Sequence, residues 1–140
     1  LFEFDVVPIV NENDTVAVEE IVFGDNDTLA AVVAKLIGAD LLVLLSDVDG
    51  LYTLPPHEPG AEKISYVKEI TPEIEAIAEG SYSDFGTGGM LSKIRAAKIA
   101  TESGIAMAII DGEDPSAIYS IIDGTGCSGT FFEPKKHVLS

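Results

Sequence analysis

Runs of consecutive apolar residues alternate along the chain with segments of helical periodicity. Residues 6–10, 41–45 and 105–110 form short apolar runs, typical of parallel strands buried on both faces, and we expect 41–45 to be central. From Leu29 to Ile37, apolar residues recur at every third or fourth position, which predicts an amphipathic helix. Strands that alternate with helices indicate an α/β domain with a largely parallel sheet.

Capping signals predict where further elements begin and end. Thr71 followed by Pro72 has the cap-then-proline order of a helix start, and Gly38 is placed to end the first helix. An Ala-rich apolar run predicts a helix over residues 91–103, and Asp114 with Pro115 predicts the start of another that ends at Gly124. Short strands are expected within residues 64–70 and at 129–132.

Three polar clusters follow predicted strands or precede predicted helices. They are residues 11–14, 24–28 and 46–50. Each has a simpler interpretation, since Asx-rich turns and helix caps use the same residue types. Ligands of open α/β sheets bind outside the carboxyl ends of the strands, so the three clusters together favour one shared crevice.

The segment Gly-Thr-Gly-Gly-Met-Leu-Ser-Lys at residues 86–93 is the strongest candidate for a phosphate-binding loop. Its glycines permit close approach to the backbone, and the helix that follows offers unpaired N–H groups to an anion. The spacing matches neither the Walker pattern nor Gly-x-Gly-x-x-Gly, and a plain turn before a helix is the alternative. Lys93, Arg95 and Lys98 are three of only eight basic residues in the chain.

Composition narrows the classes of function. The net charge of −16 over 140 residues argues against a nucleic-acid partner. Cys127 is the single cysteine and there are two histidines, so we expect no internal disulfide and no structural zinc, in a reducing, cytosolic setting. No apolar stretch reaches membrane-spanning length, so no membrane association is expected.

Four motifs in this order and spacing resemble those of the glutamate 5-kinases, which belong to the amino acid kinase superfamily. They are V-P-I-V-N-E-N-D from Val7, G-D-N-D from Gly24, S-D-V-D-G-L-Y from Ser46, and G-T-G-G-M from Gly86 with Lys93 after it. The resemblance covers residues 6–132 and implies a three-layer αβα sandwich with a largely parallel central sheet.

The resemblance also implies that part of a kinase domain is represented here. Kinase domains of this family begin with a glycine- and serine-containing strand and loop that carry another catalytic lysine, and this sequence has no such segment and begins at Leu1. We expect residues 1–132 to be the C-terminal, nucleotide-binding half of the domain and residues 133–140 a polar tail or linker. Alone, the chain is expected to bind nucleotide at most and to lack kinase activity.

The implied activity is transfer of the ATP γ-phosphoryl group, with Mg²⁺, to the side-chain carboxylate of L-glutamate, the first step of proline biosynthesis. The ionised carboxylate needs no general base. The implied partners are ATP and glutamate, and we expect a cytoplasmic homo-oligomer. The resemblance assigns catalysis to Lys93 and Asp27, glutamate binding to Asp14 and Asn26, nucleotide binding to Ser46, Asp47, Thr87, Gly88, Gly89, Met90, Leu91, Ser92 and Lys93, and no residue to a metal.

Other functions remain open from the sequence. Another member of the superfamily, such as acetylglutamate kinase, aspartokinase or uridylate kinase, would share the fold and the nucleotide side. A non-catalytic module that senses a nucleotide or an amino acid would bind ligand without turnover. An α/β fragment without a ligand would leave the three polar clusters and the glycine-rich segment unexplained.

Overall fold

A computed structural model describes residues 26–54, 58–81 and 89–135 of the chain. The strand predicted at residues 6–10, the polar cluster 11–14 and residues 86–88 lie outside them. The helices are α1 (Asn26–Ile37), α2 (Pro72–Ser81), α3 (Gly89–Glu102) and α4 (Ala117–Asp123). The strands are β1 (Leu41–Ser46), β2 (Leu51–Tyr52), β3 (Lys63–Ile64), β4 (Tyr66–Val67), β5 (Ala106–Asp111) and β6 (Thr130–Phe132).

The described strands form a four-stranded sheet in the order β1-β5-β6-β4 and a separate β2–β3 hairpin. β1 pairs with β5 in parallel and β4 pairs with β6 in parallel, whereas β5 and β6 are antiparallel. The predicted α/β fold with a largely parallel sheet is therefore confirmed. In the β1–β5 register Leu41 lies opposite Ala106 and Ser46 lies opposite Asp111, so both strands end at the same edge.

Helices lie on both faces of this sheet, and no side chain of α4 is buried. Met107 and Ile109 of β5 belong to the core that α1, α2 and α3 share, and Ala108 and Ile110 point to the opposite face because side chains alternate along a strand. All four are fully buried. On that opposite face Phe131 of β6 lines a cavity with Ile121 of α4. The predicted three-layer αβα arrangement is confirmed.

Among the described helices, α1 and α3 have the most extensive contact, and small side chains of both are buried. Ala31 and Ala34 of α1, and Ala96, Ala97 and Ala100 of α3, are buried in the core. Alanine on both surfaces lets the two helix axes approach closely, as small residues do wherever helices pack tightly. The same alanines favour the helical conformation itself.

Three helix ends have the caps that the sequence predicts. Gly38 and Gly124 have φ of 69° and 75°, the left-handed conformation that ends a helix. The Thr71 hydroxyl accepts a hydrogen bond from the Ile74 N–H at 3.3 Å, so α2 is capped as predicted. α4 begins at Ala117, later than predicted, because the preceding turn has short-range bonds such as Ala117 N–H to the Asp114 carbonyl.

One prediction about β1 differs from what the structure shows. The apolar run at residues 41–45 predicted a central strand buried on both faces. The described residues pair β1 with β5, and its central position stays a prediction because residues 6–10 lie outside them. Leu45 is 53% exposed on the face away from α1, and Leu36 and Ile37 at the end of α1 are exposed too. Across the described residues, no helix has the length and apolarity needed to cross a bilayer.

Substitution of Gly129 tests the close approach of β5 and the segment before β6. A Cβ at Gly129 would lie 1.8 Å from the Ile109 carbonyl oxygen, so Gly129→Ala must push the two backbones apart. We expect the free energy of unfolding, measured by urea denaturation, to fall by about 3 kcal/mol. Gly112→Ala is the control, since its Cβ would meet nothing closer than 3.4 Å. Equal effects of the two substitutions would contradict this packing.

Candidate functional site

A carboxylate at the start of α1 holds a lysine and a serine at the start of α3. The Lys93 ammonium lies 3.1 Å from Oδ2 of Asp27, and the Ser92 hydroxyl donates to the same oxygen at 2.9 Å. The side chains of Lys93 and Asp27 are only 13% and 21% exposed. A partly buried ion pair with a third hydrogen-bonding group is less screened than a surface pair, so Lys93 is held in one position.

The start of α3 is electropositive for two reasons. Its first turn contains no acidic residue, and the positive end of the helix dipole lies at this end of α3. Lys93 adds a positive charge one turn into the helix, which the Asp27 carboxylate offsets in part. In a chain of net charge −16 this local positive potential favours an anionic ligand.

Chain connectivity brings the helix starts to the carboxyl edge of the sheet. α1 is followed directly by β1 and α3 directly by β5, and each helix packs on its own strand. A helix of twelve residues and a strand of six have similar lengths, roughly 18–20 Å. The starts of α1 and α3 therefore lie near the edge where Ser46 and Asp111 end their strands. This is the edge at which α/β proteins bind ligands.

Ser46 is fixed at that edge while Asp47 is exposed. The Ser46 carbonyl accepts a hydrogen bond from the Gly112 N–H at 2.7 Å, and its hydroxyl accepts one from the Val48 N–H at 3.0 Å. Asp111 stands opposite Ser46 and was missed by sequence reasoning. The sequence pattern could have indicated it, because Asp111 comes at the end of an apolar run as Asp47 does.

The side chains of the predicted loop residues lie in different surroundings in the structure. Gly89 is the first residue of α3. Met90 is 3% exposed within the core, and Leu91 packs against that core. A ligand at the start of α3 would therefore meet the main chain of these residues. The Ser92 hydroxyl is already engaged with Asp27 and with the Gly89 carbonyl.

The remaining predicted residues divide between exposed and undescribed positions. Asn26 is exposed at the first position of α1, next to Asp27. Asp14, Thr87 and Gly88 lie outside the described residues. Within residues 26–54, 58–81 and 89–135, no three His, Cys, Asp or Glu side chains are grouped so that they could hold a metal ion.

Comparison with known proteins places the chain in a family. Residues 1–111 match the sequence profile of the amino acid kinase family. The chain belongs to the amino acid kinase family. Among solved structures, this amino acid kinase chain is similar to uridylate kinase from Archaeoglobus fulgidus, with a TM-score of 0.58 and 26% identity over 77% of this chain and 47% of that one.

Curated relatives of this amino acid kinase chain are more similar in sequence. It is 57% identical over 129 residues to a glutamate 5-kinase from Rhizobium leguminosarum bv. trifolii (strain WSM2304), which is 91% of this chain and 33% of the relative. It is 51% identical over 140 residues to a glutamate 5-kinase from Listeria monocytogenes serotype 4a (strain HCC23), covering 96% of this chain and 50% of the relative. The chain spans between a third and half of the length of these relatives.

A double-mutant cycle tests the pair that holds the lysine of this amino acid kinase chain. We expect Asp27→Asn and Lys93→Met to show a coupling of about 1.5 kcal/mol in the free energy of unfolding, because the pair is largely shielded from water. Lys98 and Glu75 form the control pair, at 2.6 Å but with side chains 45% and 35% exposed. Solvent screening should make their coupling clearly smaller. Additive effects of Asp27→Asn and Lys93→Met would contradict the proposed restraint.

Proposed function

We propose that this chain forms the nucleotide-binding part of a glutamate 5-kinase. That enzyme would transfer the γ-phosphoryl group of ATP to the side-chain carboxylate of L-glutamate, which forms L-glutamyl 5-phosphate, the first intermediate of proline biosynthesis. The observation that carries the proposal is Lys93, held by Asp27 at the electropositive start of α3. Identities of 51–57% to glutamate 5-kinases support it, against 26% to the uridylate kinase.

The proposed chemistry needs alignment and charge compensation more than covalent help. Charge in phosphoryl transfer is spread over the equatorial oxygens of the transferred group, where fixed positive groups lower the barrier. Lys93 would supply a positive charge there, and the positive end of the α3 dipole would add to it. Asp27 is acceptor to both Lys93 and Ser92, so its role is to orient the lysine. Glutamate attacks as a carboxylate, which is already ionised at neutral pH.

The described residues fit a nucleotide whose phosphates carry their own magnesium. Mg²⁺ at kinase sites is bound largely by phosphate oxygens and water, with one or two carboxylates. The exposed Asp47 and the neighbouring Asp111 lie at the sheet edge and are the candidates for such contacts. When bound, the ion would neutralise charge between the phosphates.

The other roles are assigned as follows in this proposal. Asn26 and Asp14 bind glutamate, and Ser46, Asp47 and the loop from Thr87 to Lys93 bind the nucleotide. Met90 and Leu91 do so through their main chain, since their side chains pack in or against the core. A cytoplasmic location, a homo-oligomeric state and the division into residues 1–132 and 133–140 stay predictions.

A chimaera tests the proposed activity. This chain replaces the matching segment of the Rhizobium leguminosarum glutamate 5-kinase, and ATP turnover is measured with and without L-glutamate. We expect glutamate-dependent turnover, and a kcat at least a hundredfold lower in Lys93→Met because the transition state loses a fixed charge. Lys98→Met, an exposed lysine on the same helix, should behave as the parent. Failure of glutamate to stimulate turnover in a folded chimaera that still binds ADP would reject the function.

Asn26→Ala in the same chimaera tests the acceptor side. Asn26 is exposed beside Asp27, so the substitution removes an amide without disturbing buried packing. We expect the KM for glutamate to rise about tenfold, because hydrogen bonds to charged groups contribute more than neutral ones. The KM for ATP should change little. A rise confined to ATP would place Asn26 on the nucleotide side instead.

A further inference from the structure

A buried threonine joins the two sheets of the described chain. Thr130 opens β6 and is fully buried. Its hydroxyl accepts a hydrogen bond from the Leu51 N–H at 2.8 Å and donates one to the Ile64 carbonyl at 2.6 Å. The first contact reaches β2 and the second reaches β3. One side chain therefore uses both its donor and an acceptor position to attach the hairpin to the four-stranded sheet.

Glycines precede both Leu51 and Thr130, and a side chain at either position would interfere with this contact. A Cβ at Gly50 would lie 2.8 Å from the Thr130 hydroxyl oxygen, so a larger residue would displace that hydroxyl. A Cβ at Gly129 would lie 2.9 Å from the Asp49 carbonyl oxygen. Both glycines thus allow the segment before β6 to lie directly against the segment before β2.

A second attachment holds the same segment from its side. The Asp49 carboxylate accepts hydrogen bonds from the Tyr52 hydroxyl at 2.8 Å and from the Lys63 ammonium at 3.4 Å. Lys63 also donates to the Ser128 carbonyl at 2.7 Å. Together with the bond from Gly112 to Ser46, these contacts fix the strand-end turn, residues 46–50, at both of its ends.

We propose that Thr130 is a positioning residue for the nucleotide, acting through the strand-end turn. This inference rests on the proposed function, in which Ser46 and Asp47 contact the nucleotide. Thr130 touches neither of them, but it anchors Leu51 immediately after the turn. Lys63 supports the same turn through Asp49. The inference assigns a role in nucleotide affinity to a strand that none of the four sequence motifs includes.

The test compares Thr130→Val with Thr130→Ser in the chimaera. Valine keeps the shape but loses both hydrogen bonds, whereas serine keeps the hydroxyl. We expect Thr130→Val to raise the KM for ATP about tenfold, with the KM for glutamate unchanged, and Thr130→Ser to restore the parental value. A purely structural threonine would lower thermal stability and the active fraction without a selective change in KM. An unchanged KM for ATP, or an equal rise for both substrates, would overturn the inference.

A second variant tests the inference if Thr130→Val does not fold. Lys63→Met removes the side attachment of the strand-end turn from a partly exposed position, and should raise the KM for ATP about threefold. Lys68→Met, at an exposed lysine beyond β4, is the control and should match the parent. Parental behaviour of Lys63→Met would then overturn the inference.

The proposed function and this inference can fail separately. If the parent chimaera shows no glutamate-dependent turnover, the dissociation constant for magnesium-ADP, measured by calorimetry, replaces the KM for ATP. Selective weakening in Thr130→Val with recovery in Thr130→Ser would support the positioning role even though the kinase reaction is rejected. Equal affinity in all three proteins would overturn it.

Discussion

The contact between α1 and α3 is the constraint on which the candidate site depends. Alanines on both helices allow a close approach, and that approach brings the first turn of α1 within reach of the first turns of α3. Only then can Asp27 contact Ser92 and Lys93, which lie 65 and 66 residues later in the chain. The charge that would face a phosphate is therefore positioned by apolar packing as much as by its counter-ion.

The pairing of the strands also positions residues of the candidate site. Parallel pairing of β1 and β5 brings the ends of both strands to one edge, and the helices that precede them return the chain to that edge. The strand-end turn then depends on contacts with β3 and β6, far away in sequence. The residues that contact a ligand and the residues that hold them in place thus come from different parts of the chain, as in many enzymes built on rigid scaffolds.

Much of the fold could be predicted because local signals agree with one another. The periodicity of α1, the cap at Thr71 and the glycines at 38 and 124 each predicted a boundary close to the one observed. β1 was predicted to be buried on both faces because its five consecutive apolar residues carry no local sign that Leu45 is exposed. The start of α4 was missed by two residues, since Asp114 and Pro115 also suit a tight turn.

The parts of the site that depend on long-range contacts were harder to predict from the sequence. The polar clusters included Asp27, Ser46 and Asp47, the glycine-rich segment included Lys93, and the family resemblance assigned their roles. Ser92 was grouped with the nucleotide loop, yet its hydroxyl binds Asp27, a contact that no local pattern reveals. Thr130 resembles any β-branched residue of a strand. Its importance follows from two hydrogen bonds to residues 66 and 79 positions away.

The position of β6 also has a consequence for the order in which the chain can fold. β6 is the last described strand, but it lies between β5 and β4 in the sheet. During synthesis the α1–β1 and α3–β5 units can form as soon as each has left the ribosome, whereas β4 has no neighbour in the described sheet until Thr130–Phe132 arrives. Closing such distant contacts is slow relative to local ones. β4 and β6 should therefore be the last described elements to become protected from hydrogen exchange.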